Sequence, residues 1–137
     1  MKSTATALWK GSLKEGAGRI SAKSEHFKNL PYTFVSRFVD GTGGTTPEEL
    51  IAAAHAGCYS MYLSSELSNA GTVPESIETS STVTIEEGVI TSSHLVVRAK
   101  VPGISKADFE KHVSASKSGC PVSKALNLKI TVEAVLL

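Results

Sequence analysis

The sequence predicts an α+β protein in which mostly antiparallel sheets wrap around one long buried helix. The segment Pro47–Asn69 carries helix signals at both ends and is apolar on more than one side, which is typical of a buried helix. Several other segments alternate apolar and polar residues, as half-buried strands do. They follow one another as a meander interrupted by shorter helices, which is the pattern of the α+β class.

The part of the chain before this helix predicts a series of strands. Thr4–Lys10 and Arg19–Ala22 are the first of them, followed by a polar loop over Ser24–Asn29. Tyr32–Val39 is a strand by composition, and Arg37 lies between valines on one of its faces. If that face is buried, the guanidinium needs an acidic or thiolate partner; if the strand lies at an edge, Arg37 stays in water.

The long helix is defined by its capping residues. The glycine-rich stretch Asp40–Thr45 predicts a loop, after which Thr46 is a suitable N-cap, Pro47 suits the first helical position and Glu49 completes a capping box. Gly71 is the expected left-handed terminator. One stripe of the helix is made of small residues, so another backbone can approach closely, and the same helix of a second subunit is the natural candidate. This stripe contains Ala53, Gly57, Ser60 and Ser64.

The rest of the chain predicts a hairpin, two helices and a closing strand. Ile77–Glu86 and Val89–Val101 alternate and are joined by a Glu-Gly turn. Ser105–Lys117 begins with a capping box and forms a helix. Val122–Leu126 forms a short third helix, and Leu128–Leu136 alternates again as the last strand.

The composition is that of an ordinary globular protein and excludes several classes of function. The chain has 137 residues and a net charge of +1 without a basic cluster, so nucleic acid is not an expected partner. No stretch approaches the roughly 20 apolar residues that span a bilayer, and no signal peptide is evident, so we expect a cytoplasmic protein without a membrane partner. The length suits a single domain spanning residues 1–137.

The two cysteines, Cys58 and Cys120, are the candidates for chemistry, because cytoplasmic thiols are more often catalytic, sensory or metal-binding than structural. Cys120 precedes Pro121 at a helix N-terminus, where the dipole stabilises a thiolate, so local reasoning ranks it as the more reactive thiol. Cys58 lies within a buried helix and becomes a nucleophile only beside a cation, for which His55 and Arg37 are candidates. Alternatively, Cys58 is a packing residue of the buried helix and Cys120 is only a helix cap. A zinc site is disfavoured, because the sequence lacks the usual close pair of ligands.

Four motifs, taken together and in order, resemble the osmotically inducible protein C family, which is related to the organic hydroperoxide resistance proteins. His55 and the Val-Ser-Lys sequence after the second cysteine favour the osmotically inducible branch. The motifs are Y-x-F-x-x-R-F at Tyr32–Phe38, T-P-E-E-L at Thr46–Leu50, A-A-H-A-x-C at Ala53–Cys58 and G-C-P-V-S at Gly119–Ser123.

The resemblance implies a thiol peroxidase that reduces organic hydroperoxides. Carried over by motif, Cys58 is the peroxidatic thiol and Cys120 the resolving one, which reverses the ranking from local reasoning. Arg37 stabilises the Cys58 thiolate, and Glu48 holds Arg37 in place. Cys58 becomes a sulfenic acid, then a disulfide with Cys120, which an external dithiol reduces. The resemblance suggests a lipoyl-bearing protein as reductant and requires no metal, haem or flavin cofactor.

The spacing of these residues constrains the site. Cys58 follows Glu48 by ten residues, about 15 Å along a straight helix, so one arginine cannot contact both on such a helix. Either the helix bends, or it begins after Glu48, or two subunits share the site. The resemblance implies an intertwined homodimer with the central helices packed together and the sheets outside.

Other functions would use the same cysteine pair differently. A non-catalytic module could bind an apolar ligand in a pocket, with incidental cysteines. A redox sensor could change a partner interaction when the disulfide forms. Repeated turnover separates an enzyme from both, because a sensor needs a single oxidation and a binding module needs none.

Overall fold

The protein is described here by a computed structural model that covers residues 1–39 and 43–137. These residues form six β-strands and three α-helices, which confirms the predicted α+β class. Two compact units divide the chain, Met1–Leu50 and Ile51–Leu137. The expectation of a single domain stays a prediction. Part of the loop predicted at Asp40–Thr45, namely residues 40–42, lies outside the described residues.

The first unit contains an antiparallel sheet in the order β1-β2-β3. Gly18 faces Tyr32 across the β2–β3 pair, where a Cβ on Gly18 would lie 2.3 Å from the tyrosine ring. The Tyr32 ring is also 5.4 Å from that of Trp9 on the neighbouring strand. A glycine is therefore required where the aromatic ring covers the backbone. The strands are β1 (Ala5–Lys10), β2 (Ala17–Ala22) and β3 (Leu30–Thr33).

The predicted strand over Tyr32–Val39 is wrong beyond Thr33. The chain turns there into a 3₁₀ helix at Val35–Arg37. Ser36 N–H donates to Thr33 Oγ1 at 3.0 Å, Thr33 N–H donates to Ser36 Oγ at 3.2 Å, and Ser36 Oγ donates to the Thr33 carbonyl at 2.8 Å. These local bonds compete with the sheet ladder and end the strand. Arg37 is consequently presented by a helical turn rather than by a sheet face.

The second unit contains a mixed sheet in the order β4-β5-β6. The hairpin turn has positive φ at both central residues, 50° at Glu87 and 80° at Gly88, as a type I′ turn requires. The closing strand pairs with β5 in parallel, because the chain crosses over through two helices before returning. The elements are β4 (Ser76–Glu86), β5 (Val89–Lys100), α2 (Lys106–Gly119), α3 (Pro121–Ala125) and β6 (Lys129–Leu136).

The long helix α1 spans Pro47–Asn69, as predicted. Glu49 N–H donates to Thr46 Oγ1 at 3.0 Å, which is the capping bond expected of an N-cap threonine. The Glu49 carboxylate accepts instead from the Thr45 hydroxyl at 2.6 Å. Gly71 follows the helix with φ +86°. Because the helix begins at Pro47, the alternative in which it starts after Glu48 is wrong.

Within the second unit, the core lies along one stripe of α1 that sequence reasoning did not single out. Its residues recur every fourth position, are completely buried and belong to a cluster that includes alternate residues of β5. The opposite side of the helix is exposed in the single chain, and Met61 is 71% exposed. The buried stripe consists of His55, Tyr59, Leu63 and Leu67, and the exposed one of Ala53, Ala54, Gly57 and Met61.

Candidate active site

The two cysteines meet in the second unit. Cys58 projects from α1 and is half-buried, whereas Cys120, immediately before α3, is completely buried. Neither is in a disulfide, and their thiols hydrogen-bond to each other. Direct contact between two free thiols is the arrangement from which a disulfide can form once one sulfur is oxidised.

The pKa values of the two thiols are shifted in opposite directions. Burial raises the pKa of Cys58, and the neighbouring Cys120 sulfur raises it further, against a hydrogen bond with the Val122 backbone. Burial also opposes ionisation of Cys120, but hydrogen bonds from the Ser123 amide, the Cys58 thiol and the Ser123 hydroxyl outweigh it, and the pKa of Cys120 is lowered. Taken by itself, the second unit therefore makes Cys120 the more acidic of the two thiols, the order expected from local reasoning.

Arg37 and Glu48 form an ion pair in the first unit. Arg37 Nε donates to Oε1 of Glu48 at 3.1 Å and to Oε2 at 3.3 Å, and Arg37 Nη2 also donates to Oε1. Burial opposes ionisation of Glu48, but the guanidinium outweighs it and lowers the pKa of that carboxyl. The same hydrogen bond raises the pKa of Arg37. A planar fork against a carboxylate leaves the guanidinium little orientational freedom.

An aromatic hollow of about 240 Å³ lies beside Arg37 in the first unit. The Arg37 carbon Cζ stands 6.0 Å from the centre of the Phe38 ring, which packs edge-on against Phe34. The hollow thus combines one fixed cation with apolar walls. Its lining residues are Trp9, Leu13, Tyr32, Thr33, Phe34, Arg37 and Pro47.

A buried polar cluster surrounds His55 in the second unit. Its Nδ1 lies 2.7 Å from Ser93 Oγ and its Nε2 lies 2.8 Å from Ser123 Oγ. Ser81 Oγ lies 3.0 Å from Ser93 Oγ. Burial lowers the pKa of His55, so the imidazole is held neutral. Sequence reasoning named His55 as a possible cation beside Cys58 but connected none of the three serines with it, because no local motif does so.

The described part of the chain contains neither a cluster of metal-binding side chains nor a helix able to span a membrane. Residues 1–39 and 43–137 contain no group of three or more His, Cys, Asp or Glu side chains placed to hold a metal ion. Among the helices of those residues, none combines the length and apolarity needed to cross a membrane.

Comparison with known proteins identifies the family. The profile described as OsmC-like protein matches residues 40–135. Peroxiredoxin OsmC of Escherichia coli (strain K12) is 42% identical over 131 residues, which make up 93% of this chain and 91% of that protein. The chain belongs to the OsmC-like protein family. The resemblance read from the motifs is thereby confirmed, and so is the prediction of a cysteine-based peroxidase.

Solved structures of OsmC-like proteins share the fold at low sequence identity. An OsmC-like protein from Mycoplasma pneumoniae superposes with a TM-score of 0.77 at 16% identity, covering 100% of this chain and 98% of its own. The organic hydroperoxide resistance protein OhrB of Bacillus subtilis does so with a TM-score of 0.68 at 21% identity, covering 96% of this chain and 98% of its own. The common fold holds even where few residues are identical.

Proposed function

We propose that this OsmC-like protein reduces organic hydroperoxides to alcohols, with Cys58 as the peroxidatic and Cys120 as the resolving cysteine. The observation that carries the assignment is the difference in burial between two touching thiols. Cys120 is 0% exposed, so a bulky hydroperoxide cannot reach it, whereas Cys58 retains exposed surface. The sulfur that meets an external substrate has to be accessible.

The proposed roles of Arg37 and Glu48 follow from the charge on the thiol pair. In the second unit alone the pKa of Cys58 is raised and that of Cys120 is lowered, so Cys58 needs a cation that favours its thiolate before it can attack a peroxide. Arg37 is that cation in the proposal, and Glu48 fixes its fork in a single orientation. An arginine suits this role because it remains charged at every physiological pH.

The aromatic hollow beside Arg37 supports an organic substrate over hydrogen peroxide. An alkyl or aryl group packed against Trp9, Tyr32 and Phe34 would bring its peroxide group to the guanidinium. Hydrogen peroxide has no apolar group to place there. We therefore expect the preference between the two peroxides to depend on the size of the substrate's apolar part.

The reaction sequence balances without a cofactor. The Cys58 thiolate attacks one peroxide oxygen, the O–O bond breaks, and the leaving alkoxide takes a proton to become the alcohol. Cys120 then displaces hydroxide from the Cys58 sulfenic acid and forms the disulfide. An external dithiol, for which a lipoyl-bearing protein is the proposed source, returns both thiols by exchange. A reducing compartment such as the cytoplasm would keep the pair reduced between cycles.

We further propose that the active form is an intertwined homodimer of one domain spanning residues 1–137. The exposed stripe of α1 supports this, because Ala53, Gly57 and Met61 form an apolar face of mostly small side chains. Small residues let two helices approach closely, and a second copy would cover the face. In such a dimer Arg37 of either subunit could serve each Cys58.

Steady-state turnover tests the proposed function. Cumene hydroperoxide and hydrogen peroxide are each supplied with dihydrolipoamide, and alcohol formation and dithiol oxidation are followed for the wild-type protein and Cys58→Ser. We expect sustained turnover that favours the organic peroxide and is lost in Cys58→Ser. Retained turnover in that variant would refute the assignment of Cys58. No turnover in the wild type, with both thiols still titratable, would leave an apolar-ligand-binding module as the better account.

A further inference from the structure

Hydrogen bonds connect four side chains in a line whose last member, Ser123, interacts with the Cys120 sulfur. The line runs from Ser81 to Ser93 and from Ser93 to His55 Nδ1. From the other ring nitrogen it continues to the Ser123 hydroxyl, whose interaction with the Cys120 sulfur lowers the pKa of that thiol. We call these four residues the serine–histidine chain. His55, Ser93 and Ser123 are all buried, and His55 and Ser93 are 0% exposed. Because His55 and Ser93 have no solvent-exposed surface, their polar groups depend on one another and on Ser81 and Ser123 for hydrogen bonds.

The chemistry of the two ends sets the direction of the chain. A neutral imidazole donates from one nitrogen and accepts at the other. If Nε2 carries the proton, Ser123 Oγ accepts it and the Ser123 hydroxyl is left to donate to Cys120. Nδ1 then accepts from Ser93, whose oxygen accepts from Ser81. The opposite direction would turn the Ser123 hydroxyl towards His55 and leave the Cys120 thiolate without this donor.

We propose that His55 is a positioning residue for the resolving step, because its neutral Nε2–H form turns the Ser123 hydroxyl onto Cys120, where it donates to the attacking thiolate. The inference rests on the proposed function. The thiolate attacks the sulfur of the Cys58 sulfenic acid, the S–S bond forms and the S–O bond breaks. Hydroxide leaves and takes a proton from solvent to become water. The peroxide has already supplied the oxidation in the preceding step.

The other groups facing Cys120 explain why this donor matters at the resolving step. Two come from α1, the thiol of Cys58 and the ring of Tyr59. Tyr59 is kept neutral because burial raises its pKa, and its hydroxyl donates to the Val113 carbonyl at 2.9 Å. Cys58 attacks the peroxide as a thiolate and is then a sulfenic acid, so no S–H of Cys58 is left to donate at the resolving step. The Ser123 hydroxyl then remains as the side-chain donor, together with the backbone amides at the start of α3.

The first test measures Cys120 alone. Cys58→Ala leaves Cys120 as the one thiol of the chain, and its thiolate is followed by ultraviolet absorbance against pH, which requires no access for a reagent. Adding Ser123→Ala is expected to move the titration to higher pH, while Ser123→Thr, which keeps the hydroxyl, restores it. Ser116→Ala is the matched control: Ser116 is 0% exposed and its hydroxyl has no hydrogen-bond partner within the described residues.

The second test isolates His55. His55→Phe removes both ring nitrogens at similar size and is expected to move the Cys120 titration as Ser123→Ala does, with no further shift in the double variant. His55→Gln keeps an amide donor and should recover part of the shift. If Ser123→Ala moves the titration and a folded His55→Phe, or a folded His55→Ala, leaves it unchanged, the positioning role of His55 is wrong. If Ser123→Ala itself changes nothing, the whole inference fails.

Single-turnover kinetics show which step of the reaction depends on the Ser123 hydroxyl. With Cys58 present and stoichiometric cumene hydroperoxide, we expect Ser123→Ala to release alcohol at the wild-type rate but to form the disulfide about tenfold more slowly. Equal rates of disulfide formation would contradict the proposal. A wild-type protein that forms no Cys58–Cys120 disulfide would refute the proposed function. The titration of Cys120 would still test whether the serine–histidine chain stabilises its thiolate.

Discussion

The Nε of Arg37 donates to both carboxylate oxygens of Glu48, at 3.1 and 3.3 Å. The Glu48 side chain is only 9% exposed, so the pair forms in a site with little water. The contact joins a 3₁₀ turn to the first turn of α1. Glu48 lies in the first turn of α1, where the positive end of the helix dipole also stabilises its carboxylate.

This ion pair predicts how stability depends on pH. Burial opposes the charge on Glu48, but the guanidinium lowers its folded pKa below the ordinary value of 4.5. Below pH 4.5 the unfolded chain therefore binds more protons than the folded one, and stability falls with pH through that window. We expect Glu48→Gln to lower the free energy of unfolding by about 1 kcal/mol at neutral pH, and by less as the pH falls.

Denaturant unfolding from pH 3 to pH 7 measures this difference, with roughly equal spacing of points across the window. The exposed Glu110→Gln on α2 is the control and should leave the pH dependence in place. A constant gap between Glu48→Gln and the wild type at all pH values would contradict the assigned direction of the Glu48 pKa.

Replacement of Arg37 is expected to slow the reaction of Cys58 with alkylating reagents. Burial raises the pKa of Cys58, and in the proposal the Arg37 guanidinium is the group that offsets this effect. We expect Arg37→Ala to lower the alkylation rate of Cys58 at neutral pH about tenfold. Arg37→Lys keeps the positive charge but loses the planar fork, so its alkylation rate should lie between those of the wild type and Arg37→Ala. Arg98→Ala, at an exposed position of β5, serves as the control. If the alkylation rate of Cys58 depends on pH in Arg37→Ala as it does in the wild type, Arg37 does not stabilise the thiolate.

Loss of Cys120 is expected to stop the reaction after one chemical step. Cys120→Ser keeps Cys58, so it should release about one alcohol per subunit and then accumulate the Cys58 sulfenic acid. Mass spectrometry after rapid quenching, with a dimedone-type trap for the sulfenic acid, measures both products. Sustained turnover with dihydrolipoamide would show that Cys120 is not needed for resolution.

The exposed stripe of α1 predicts a self-association surface. A glutamate introduced at Met61 would be buried without a partner if a second copy covers this face. We expect Met61→Glu to shift the protein from dimer to monomer in sedimentation experiments, and Gly57→Leu to do the same by preventing close approach of the helices. Ser114→Glu, exposed on α2, carries the same charge change and should leave the dimer intact. A monomeric wild type would contradict the proposed assembly.

Local signals account for the predictions that succeeded. Thr46 and Pro47 start α1, and Gly71 follows its last turn, because caps act through bonds to near neighbours. The Glu-Gly turn defines the hairpin for the same reason. The failure at Tyr32–Val39 has a local cause too, since hydrogen bonds between Thr33 and Ser36 overrode a strand-like composition.

The candidate site was predictable only in part. The motifs around Cys58 and Cys120 resembled one family strongly enough to name both cysteines, Arg37 and Glu48, whose roles stay proposals. The serine–histidine chain was invisible, because Ser93 lies 38 residues from His55 and Ser123 lies 68 residues from it. Serines in a strand and after a helix start have ordinary local explanations, and only their meeting reveals a network.

The sequence by itself determined both ends of α1, the turn of the hairpin and which family the chain resembles. All of these depend on interactions or motifs contained within a few neighbouring residues. The tertiary structure decided the parallel return of β6, the complete burial of Cys120 and the contact of His55 with Ser93 and Ser123. These features join segments far apart in the chain, so they exist only once the core has closed around them.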